Sequence, residues 1–191
     1  MDKYCLPDDY LARLENSYFD DTPYRDEYQD EVYSTAKKMF TDMEMRSVLD
    51  IGTGSGYKLM KYFKEFNTMG ADLEPTLTFL RNKYPDRQWG TLDDLPSWWD
   101  MIICSDVLEH ISDPDAFLDL ILQKNFAVAV FSTPDRDSLY HGPGNLGMPS
   151  NPAHVREWTM PEFLCYMKKK FYVLKQIKIE PNTQIIICQK K

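Results

Sequence analysis

Three glycines at alternating positions follow a short apolar run and precede a stretch with helical spacing. The run Val48–Ile51 leads into Gly52, Gly54 and Gly56. Glycines in such a place let the backbone turn tightly, and they leave N–H groups exposed to a ligand at the carboxyl end of a strand. Asp50, which precedes the glycines, can hold this turn or the amine of a ligand. The spacing G-x-G-x-G also differs from the G-x-G-x-x-G of nicotinamide-binding folds.

A second acidic residue lies where a nucleotide ligand would need one. Asp72 ends the next apolar run, G-A-D-L-E-P, 20 positions after Gly52. A carboxylate at the end of the second strand of such a unit accepts hydrogen bonds from ribose hydroxyls. Glu74 is the alternative for this role, and Asp72 could instead cap the following helix. The two motifs together favour a bound nucleoside more strongly than either motif alone.

The residues after the third apolar run are candidates for contact with a base. The segment G-T-L-D-D-L-P covers Gly90–Pro96. Adenine could meet the backbone of Thr91 and Leu92 or a neighbouring side chain.

These motifs need a parallel sheet to bring them together, and the chain from Ser47 onward predicts one. Short apolar runs alternate with amphipathic stretches, as in βαβ units. The predicted strands are Ser47–Ile51, Thr68–Leu73, Gln88–Gly90, Trp99–Cys104 and Phe126–Ser132. The predicted helices are Tyr57–Phe66, Thr76–Lys83, Pro114–Gln123 and Pro161–Lys169. An antiparallel hairpin, Tyr172–Ile179 with Gln184–Gln189, is predicted to end the chain.

Two segments lie outside this pattern. Residues 1–46 are rich in tyrosine and acidic residues, with helical spacing from Asp26 to Phe40. We predict that they form a helical lid on an α/β core of residues 47–191, within a single domain of residues 1–191. The segment from Thr133 to Trp158 is a predicted loop of about 25 residues. Irregular loops of that length inside a compact domain are usually functional.

Composition narrows the classes of protein. The formal net charge of −8 disfavours long nucleic acid as a partner. No apolar stretch approaches the length of a membrane span, and the N-terminus does not resemble a signal or transit peptide. We therefore expect a cytoplasmic protein. The four cysteines are far apart and form no C-x-x-C pair, which predicts reduced, mostly buried thiols and no zinc site. The oligomeric state is not predicted.

The order of four motifs resembles that of class I S-adenosylmethionine (SAM) dependent methyltransferases over about residues 47–135. The motifs are V-L-D-I-G-T-G-S-G, G-A-D-L-E-P, G-T-L-D-D-L-P and W-D-M-I-I-C-S-D-V-L-E-H-I. The resemblance implies a Rossmann-like sheet of seven strands in the order 3-2-1-4-5-7-6, with its last strand antiparallel and helices on both faces. It also implies SAM as cofactor and S-adenosylhomocysteine (SAH) as product.

The residues that this resemblance assigns to the cofactor come from the ends of four strands. They are Asp50, Gly52, Gly54, Gly56, Asp72, Leu73, Thr91, Leu92, Asp93, Ser105, Asp106 and His110. Many relatives carry an acid at the position of Thr91, so here the adenine contact could come from Asp93 or from the backbone. His110 could instead pack and form local hydrogen bonds. The segments Phe131–Asp137 and Asn151–Trp158 resemble those of bacterial and viral methyltransferases associated with surface-glycan synthesis.

Methyl transfer from a sulfonium is an in-line displacement, so the protein has to align two reactants and remove one proton. His154 is the first candidate for the base, because histidine titrates near neutral pH and this one lies in the long loop. His154 could also serve only to organise the loop. His141 is the second candidate. Asp135, with Asp137 and with Asp106 or His110, could gather a divalent cation, but such acidic pairs are common without metal and no metal is favoured.

A polar, ring-shaped acceptor would suit the basic and aromatic residues of the same loop. Arg136 and Arg156 could bond hydroxyls or a diphosphate, and Trp158 could stack on a sugar or anchor the last helix. We therefore expect an O-methyltransferase whose acceptor is a sugar of a surface glycan or its precursor. A phenolic or other natural-product acceptor is the alternative. A non-catalytic SAM-binding regulator or partner subunit is the alternative of another class.

Overall fold

The computed structural model describes residues 2–15, 17–25, 28–139 and 142–191. Its strands are β1 Ser47–Ile51, β2 Asn67–Ala71, β3 Gln88–Gly90, β4 Trp98–Ser105, β5 Asn125–Pro134, β6 Phe171–Ile179 and β7 Thr183–Lys190. Its α-helices are α1 Asp30–Asp42, α2 Tyr57–Phe63, α3 Thr76–Lys83, α4 Pro114–Leu122 and α5 Met160–Lys170. Short 3₁₀ helices at Leu92–Asp94, Leu108–His110 and Arg136–Ser138 follow β3, β4 and β5.

The strands form one mixed sheet in the order β3-β2-β1-β4-β5-β7-β6, which confirms the predicted topology. β1 to β5 pair in parallel, whereas β7 is antiparallel to both β5 and β6. The carboxyl ends of the parallel strands therefore meet at one edge of the sheet. The turn between β6 and β7 lies at the same edge, because Pro134 pairs with Thr183. Ligands of open α/β sheets bind at this edge.

Two apolar layers cover the two faces of the sheet. On one face, the helices α1, α2 and α3 bury residues such as Phe40, Phe63 and Leu80 against Val48 and Met101. On the other face, α4 and α5 are packed on the alternate strand residues and on the first residues of the chain. The large apolar area that both layers remove from water stabilises the sheet. It also fixes the strand ends that carry the motifs.

The helical prediction for residues 1–46 is correct only for α1. None of the described residues before α1 is helical. This segment instead forms backbone hydrogen bonds with the long loop, from the Leu11 N–H to the Leu146 carbonyl at 2.8 Å and from the Arg13 N–H to the Val155 carbonyl at 2.8 Å. Because these hydrogen bonds join residues that are far apart in sequence, the segment has no periodic pattern from which its conformation could be predicted. The segment that covers the core is thus residues 2–25, whereas α1 belongs to the core.

The cysteine prediction is wrong for one pair. Cys5 and Cys165 form a disulfide that joins the N-terminal segment to α5 across 160 positions. Cys104 and Cys188 are buried and free, as expected. None of the helices in the described part of the chain is long and apolar enough to span a membrane.

Candidate active site

The glycine turn after β1 has a backbone that side chains would not allow. Gly52 and Gly54 have φ angles of +72° and +51°, in the region that favours glycine. A Cβ on Gly52 would collide with the side chain of Val107, and a Cβ on Gly54 would collide with the carboxylate of Asp21. The turn is therefore closely covered by the residues after β4 and by the N-terminal segment.

Asp50 supports this turn from inside the protein. Its carboxylate is fully buried and accepts hydrogen bonds from the Tyr33 hydroxyl at 2.9 Å and the Thr53 hydroxyl at 2.8 Å. Burial raises the pKa of Asp50 to about 7, although both hydrogen bonds oppose that shift. Asp50 was predicted either to hold the glycine turn or to bind the amine of a ligand. These two hydrogen bonds support the first role.

Asp72 links the ends of β1 and β2. Its carboxylate accepts the Gly54 N–H and the Leu73 N–H, both at 2.8 Å. Burial raises its pKa, and these two bonds oppose that shift. The Leu73 side chain itself is 67% exposed. Asp72 thus lies beside the glycine turn, where a carboxylate for the ribose hydroxyls was predicted.

The N-terminal segment covers the glycine turn with residues that the sequence did not single out. The Tyr18 hydroxyl lies 2.6 Å from the Thr76 hydroxyl at the start of α3. Asp21 lies over Gly54, and its pKa is raised to about 6 by burial and by the nearby Asp72 carboxylate. Phe19 stacks on His110 with ring centroids 6.0 Å apart. A lid was predicted for residues 1–46, but irregular backbone has no periodicity that would show which of its residues lie at the glycine turn.

The end of β4 forms a second polar cluster. Asp106 has a left-handed backbone (φ 52°) and accepts hydrogen bonds from the Ser132 hydroxyl of β5 and from the Gln29 amide at 3.2 Å. Ser105 pairs with Ser132 through their hydroxyls at 2.9 Å. Burial raises the pKa of Asp106. Asp106 therefore connects β4, β5 and the residue that precedes α1.

A cavity of about 610 Å³ opens at this edge of the sheet. Its walls come from the glycine turn, the end of β4, the N-terminal segment, the long loop and the β6–β7 turn. The predicted site residues among its lining are Gly52, Ser105, Asp106, His110 and His154. The cavity therefore joins four of the predicted cofactor residues to the histidine loop, whereas Asp72 and the residues after β3 do not line it.

His154 is held in one tautomer by its neighbours. Its Nδ1 lies 2.6 Å from a carboxylate oxygen of Glu157, and its Nε2 lies 3.0 Å from the Asn151 amide nitrogen. Asn151 accepts the Ala153 N–H with its oxygen, so its nitrogen is the donor to Nε2. The proton of His154 is therefore on Nδ1, where it is donated to Glu157.

His110 and Glu109 lie beside His154 in the same cavity wall. The Nδ1 of His110 is 2.9 Å from the Ala153 carbonyl, and its ring centroid is 4.8 Å from that of His154. Burial and, to a smaller extent, the proximity of His154 lower the pKa of His110 to about 4. Glu109 is fully buried, and neither of its carboxylate oxygens has a hydrogen-bond partner among the described residues. The sequence analysis did not select Glu109.

A model of a methyltransferase domain family matches residues 21–173, which is most of the chain. The chain belongs to this methyltransferase family. No protein of curated function matches the sequence. The methyltransferase assignment agrees with the strand order and with the glycine turn at the carboxyl edge of the sheet.

Solved structures show the same fold at low sequence identity. Magnesium protoporphyrin IX methyltransferase from Synechocystis PCC 6803, with bound SAM, has a TM-score of 0.62 at 12% identity, over 85% of this chain and 80% of that one. The DhpI–SAH complex has a TM-score of 0.64 at 15% identity, over 89% of both chains. The [4+2]-cyclase SpnF has a TM-score of 0.66 at 11% identity, over 94% and 88%. The chain is a SAM-dependent methyltransferase.

The three residues predicted to bind the acceptor have structural roles in this methyltransferase. Trp158 is fully buried and donates its indole N–H to the Tyr4 carbonyl at 3.0 Å. Arg136 is 2% exposed and bonds the Glu157 carbonyl and the Glu162 carboxylate. Arg156 is 4% exposed and donates to two backbone carbonyls after the end of β4. Their side chains anchor the loop and none of the three lines the cavity, so these contacts do not support an acceptor role, which stays a prediction.

Asp135 also has its own local partners. It is 3% exposed, accepts the Ser138 hydroxyl at 2.9 Å and accepts the Asp137 N–H at 3.3 Å, as the cap of a 3₁₀ helix. It does not line the cavity, and its catalytic role stays a prediction that these contacts do not support. His141 lies outside the described residues. Thr91, Leu92 and Asp93 follow β3 and stay a prediction for the adenine contact.

Proposed function

We propose that this methyltransferase transfers the methyl group of SAM to a hydroxyl of a small polar acceptor, with His154 activating that hydroxyl. The observation that carries the proposal is the position of His154. Its ring lies in the wall of the same cavity as Gly52 and Asp106, and Glu157 orients it through Nδ1. Its Nε2, which would take the proton, would have to exchange the Asn151 amide for the acceptor hydroxyl. An alcohol must lose its proton during the displacement, whereas an amine needs less help. An oriented histidine therefore favours an oxygen acceptor.

The chain's own residues fit the cofactor at the carboxyl edge of the sheet. The glycine turn has no side chains at Gly52 and Gly54, but Val107 and the Asp21 carboxylate cover it, so Asp21 would have to move away from Gly54 when a ligand binds there. Asp72, beside Gly54, would accept the ribose hydroxyls, and Asp106 would face the methionine end. When bound there, SAM supplies the methyl group. Phe19 and Tyr18 would exclude water from the reacting atoms by covering this edge.

Polar side chains in the acceptor part of the cavity support a hydroxylated molecule. Among the lining residues from the long loop and the β6–β7 turn, five carry amide or hydroxyl groups: Asn145, Ser150, Asn151, Asn182 and Thr183. They could bond the hydroxyls of a sugar, and a sugar of a surface glycan or its precursor is the acceptor that we favour. The basic residues that first suggested this acceptor do not support it, because they are buried elsewhere. The proposal now depends on the polar lining alone.

A phenolic or other natural-product acceptor is the second candidate. Phe19 and Tyr28 line the cavity and would suit a planar ring. The solved structures of the same fold include a porphyrin methyltransferase and a cyclase, so the fold itself does not select the acceptor. A non-catalytic SAM-binding role is the remaining alternative, which a cavity with an oriented histidine argues against.

Transfer of label from SAM to sugars, nucleotide sugars and phenols would test the function. We expect a hydroxylated acceptor to be labelled. We expect His154→Ala to lower kcat by about 10²- to 10⁴-fold and to leave SAH affinity nearly unchanged, because His154 acts on the acceptor. Asn182→Ala, which changes the acceptor side of the cavity, should raise KM with a smaller effect on kcat. A loss of less than about tenfold in His154→Ala would contradict the role of His154.

A further inference from the structure

Glu109, His110 and His154 form a cluster that the activation of a hydroxyl does not fully explain. Each of the three residues offers one possible ligand atom, and these three atoms lie within 4.8 Å of one another. The Oε1 of Glu109 is 4.0 Å from the Nε2 of His110. Two imidazoles and one carboxylate are a ligand set for a divalent transition metal.

The buried carboxylate is the observation that points to a cation. Glu109 is fully buried, and neither of its oxygens forms a hydrogen bond of good geometry in the described part of the chain, although the Thr133 hydroxyl lies beside the carboxylate. A buried carboxylate without partners is costly unless a cation compensates it.

Both histidines have the outer partners that metal-binding histidines require. The Nδ1 of His110 is bonded to the Ala153 carbonyl, and the Nδ1 of His154 is bonded to the Glu157 carboxylate. A metal-binding histidine almost always donates its other N–H to a carbonyl or a carboxylate in this way. Both rings therefore have Nε2 as the nitrogen for a cation.

The backbone holds these residues in place from two segments. The Glu109 carbonyl accepts the Val155 N–H at 2.7 Å, which ties the 3₁₀ helix after β4 to the long loop. Ligands about 2.0–2.2 Å from a tetrahedral zinc ion are about 3.3–3.6 Å apart. The ligand atoms of the cluster lie within 4.8 Å of one another, so they would have to approach by a little over about 1 Å at the widest, and His154 would have to leave Asn151.

We propose that Glu109, His110 and His154 bind one divalent transition-metal cation in the wall of the acceptor cavity. Zn²⁺ and Co²⁺ fit this ligand set better than Mg²⁺, which prefers oxygen ligands. If the proposed O-methyl transfer holds, the cation would bind the acceptor oxygen and lower the pKa of its hydroxyl. His154 would then activate the acceptor as a ligand of the cation, and the proton would leave to solvent.

Titration of untagged, chelator-treated protein with CoCl₂ and ZnCl₂ by calorimetry tests this site. We expect one cation per chain, and the visible absorption of Co²⁺ should show nitrogen ligands. Glu109→Gln and His154→Ala should each weaken binding at least tenfold. Asp135→Asn, which changes a buried carboxylate outside the cavity, should bind like the wild type. Wild-type protein that binds neither cation, or a Glu109→Gln variant that binds as well as the wild type, would overturn the site.

Thermal unfolding separates loss of the site from loss of the fold. Without metal, Glu109→Gln should have a melting temperature at least equal to that of the wild type, because it removes an unpaired buried acid. Zn²⁺ should raise the melting temperature of the wild type but not that of the variant. An equal rise in both would overturn the site.

The proposed function and the metal site can fail separately. Methyl transfer by chelator-treated protein, with no binding of Co²⁺ or Zn²⁺, would overturn the site and leave the function standing. Binding of one cation at these residues, with no methylation of any acceptor, would support the site and leave the O-methyl transfer without support.

Discussion

Asp50 and Asp72 end neighbouring strands, but the surroundings of their carboxylates differ. Asp50 is enclosed by Tyr33 and Thr53, whereas Asp72 bonds the backbone of the glycine turn. Sequence spacing identified both residues but could not tell which carboxylate is bonded by side chains and which one by backbone N–H groups. Their substitutions should therefore have different effects.

We expect Asp72→Ala to weaken SAH binding by about 1–3 kcal/mol. The change leaves the ribose hydroxyls and the Gly54 N–H without their acceptor. Calorimetry on folded protein would measure the loss, with Asp86→Ala as the control at an exposed position. Unchanged affinity in a folded Asp72→Ala protein would remove Asp72 from the cofactor site.

Asp50 should make stability depend on pH. Burial raises its pKa in the folded protein from 3.8 to about 7. Between these values the folded protein holds a proton that the unfolded chain has lost, so the free energy of unfolding decreases as the pH rises, and the decrease is complete above pH 7. We expect Asp50→Asn to make this slope shallower by up to about 1.4 kcal/mol per pH unit. Urea unfolding from pH 5 to pH 8 would measure it, and parallel curves for both proteins would contradict the assignment.

The residues of the long loop show where sequence reasoning fails. Trp158, Arg136 and Arg156 are residue types that often bind sugars, but here all three are buried and pair within the protein. Glu109 lies in the motif S-D-V-L-E-H-I, whose second half forms a short 3₁₀ helix. A single turn has no periodicity that would show which of its side chains points inward.

At the scale of elements, the bounds of the core strands and helices were largely predictable, whereas the conformation of the N-terminal segment that covers them was not. β1, β3 and α3 have the predicted bounds, and the other core elements differ by a few residues at their ends. Each of these elements carries an apolar pattern of its own. The segment of residues 2–25 has no such pattern, because its conformation depends on hydrogen bonds to the loop around residues 146–155. Only the folded chain contains that information.

Arg13 is the side chain that ties this cover to the histidine loop. It donates to the Pro149 carbonyl at 2.7 Å and to the His154 carbonyl at 3.2 Å. We expect Arg13→Ala to speed hydrogen exchange at the Leu11 and Ser17 amides, which bond the same loop, and to lower kcat about tenfold. Mass spectrometry and the methyl-transfer assay would measure the two effects.

Arg81→Ala is the matched control for that prediction. Arg81, which lies on α3, forms an exposed ion pair with Glu74, and such pairs contribute little to stability. The control should keep the exchange rates and the turnover of the wild type. If Arg13→Ala also keeps them, residues 2–25 are ordinary packing and do not serve as a cover for the reaction.

At the scale of the whole molecule, a disulfide joins the N-terminal segment to α5, which lies on the opposite face of the sheet from α1, α2 and α3. Cys5 and Cys165 are 160 positions apart, and no spacing rule relates cysteines at such a distance. The sequence therefore predicted free thiols. Disulfides are uncommon in cytosolic proteins, so this disulfide argues against the expected cytoplasmic location. That location stays a prediction.

The disulfide should stabilise the folded chain, because it removes conformational freedom from a long loop of the unfolded state. We expect reduction with dithiothreitol to lower the free energy of unfolding by about 2–5 kcal/mol, measured as a lower urea midpoint. The Cys5→Ser/Cys165→Ser double variant should unfold like the reduced wild type and should not respond to dithiothreitol. Mass spectrometry would establish the thiol state of each sample. An oxidised wild type that unfolds at the same urea concentration as the double variant would show that the apolar contacts of Tyr4 and Leu6 alone hold the N-terminal segment on the core.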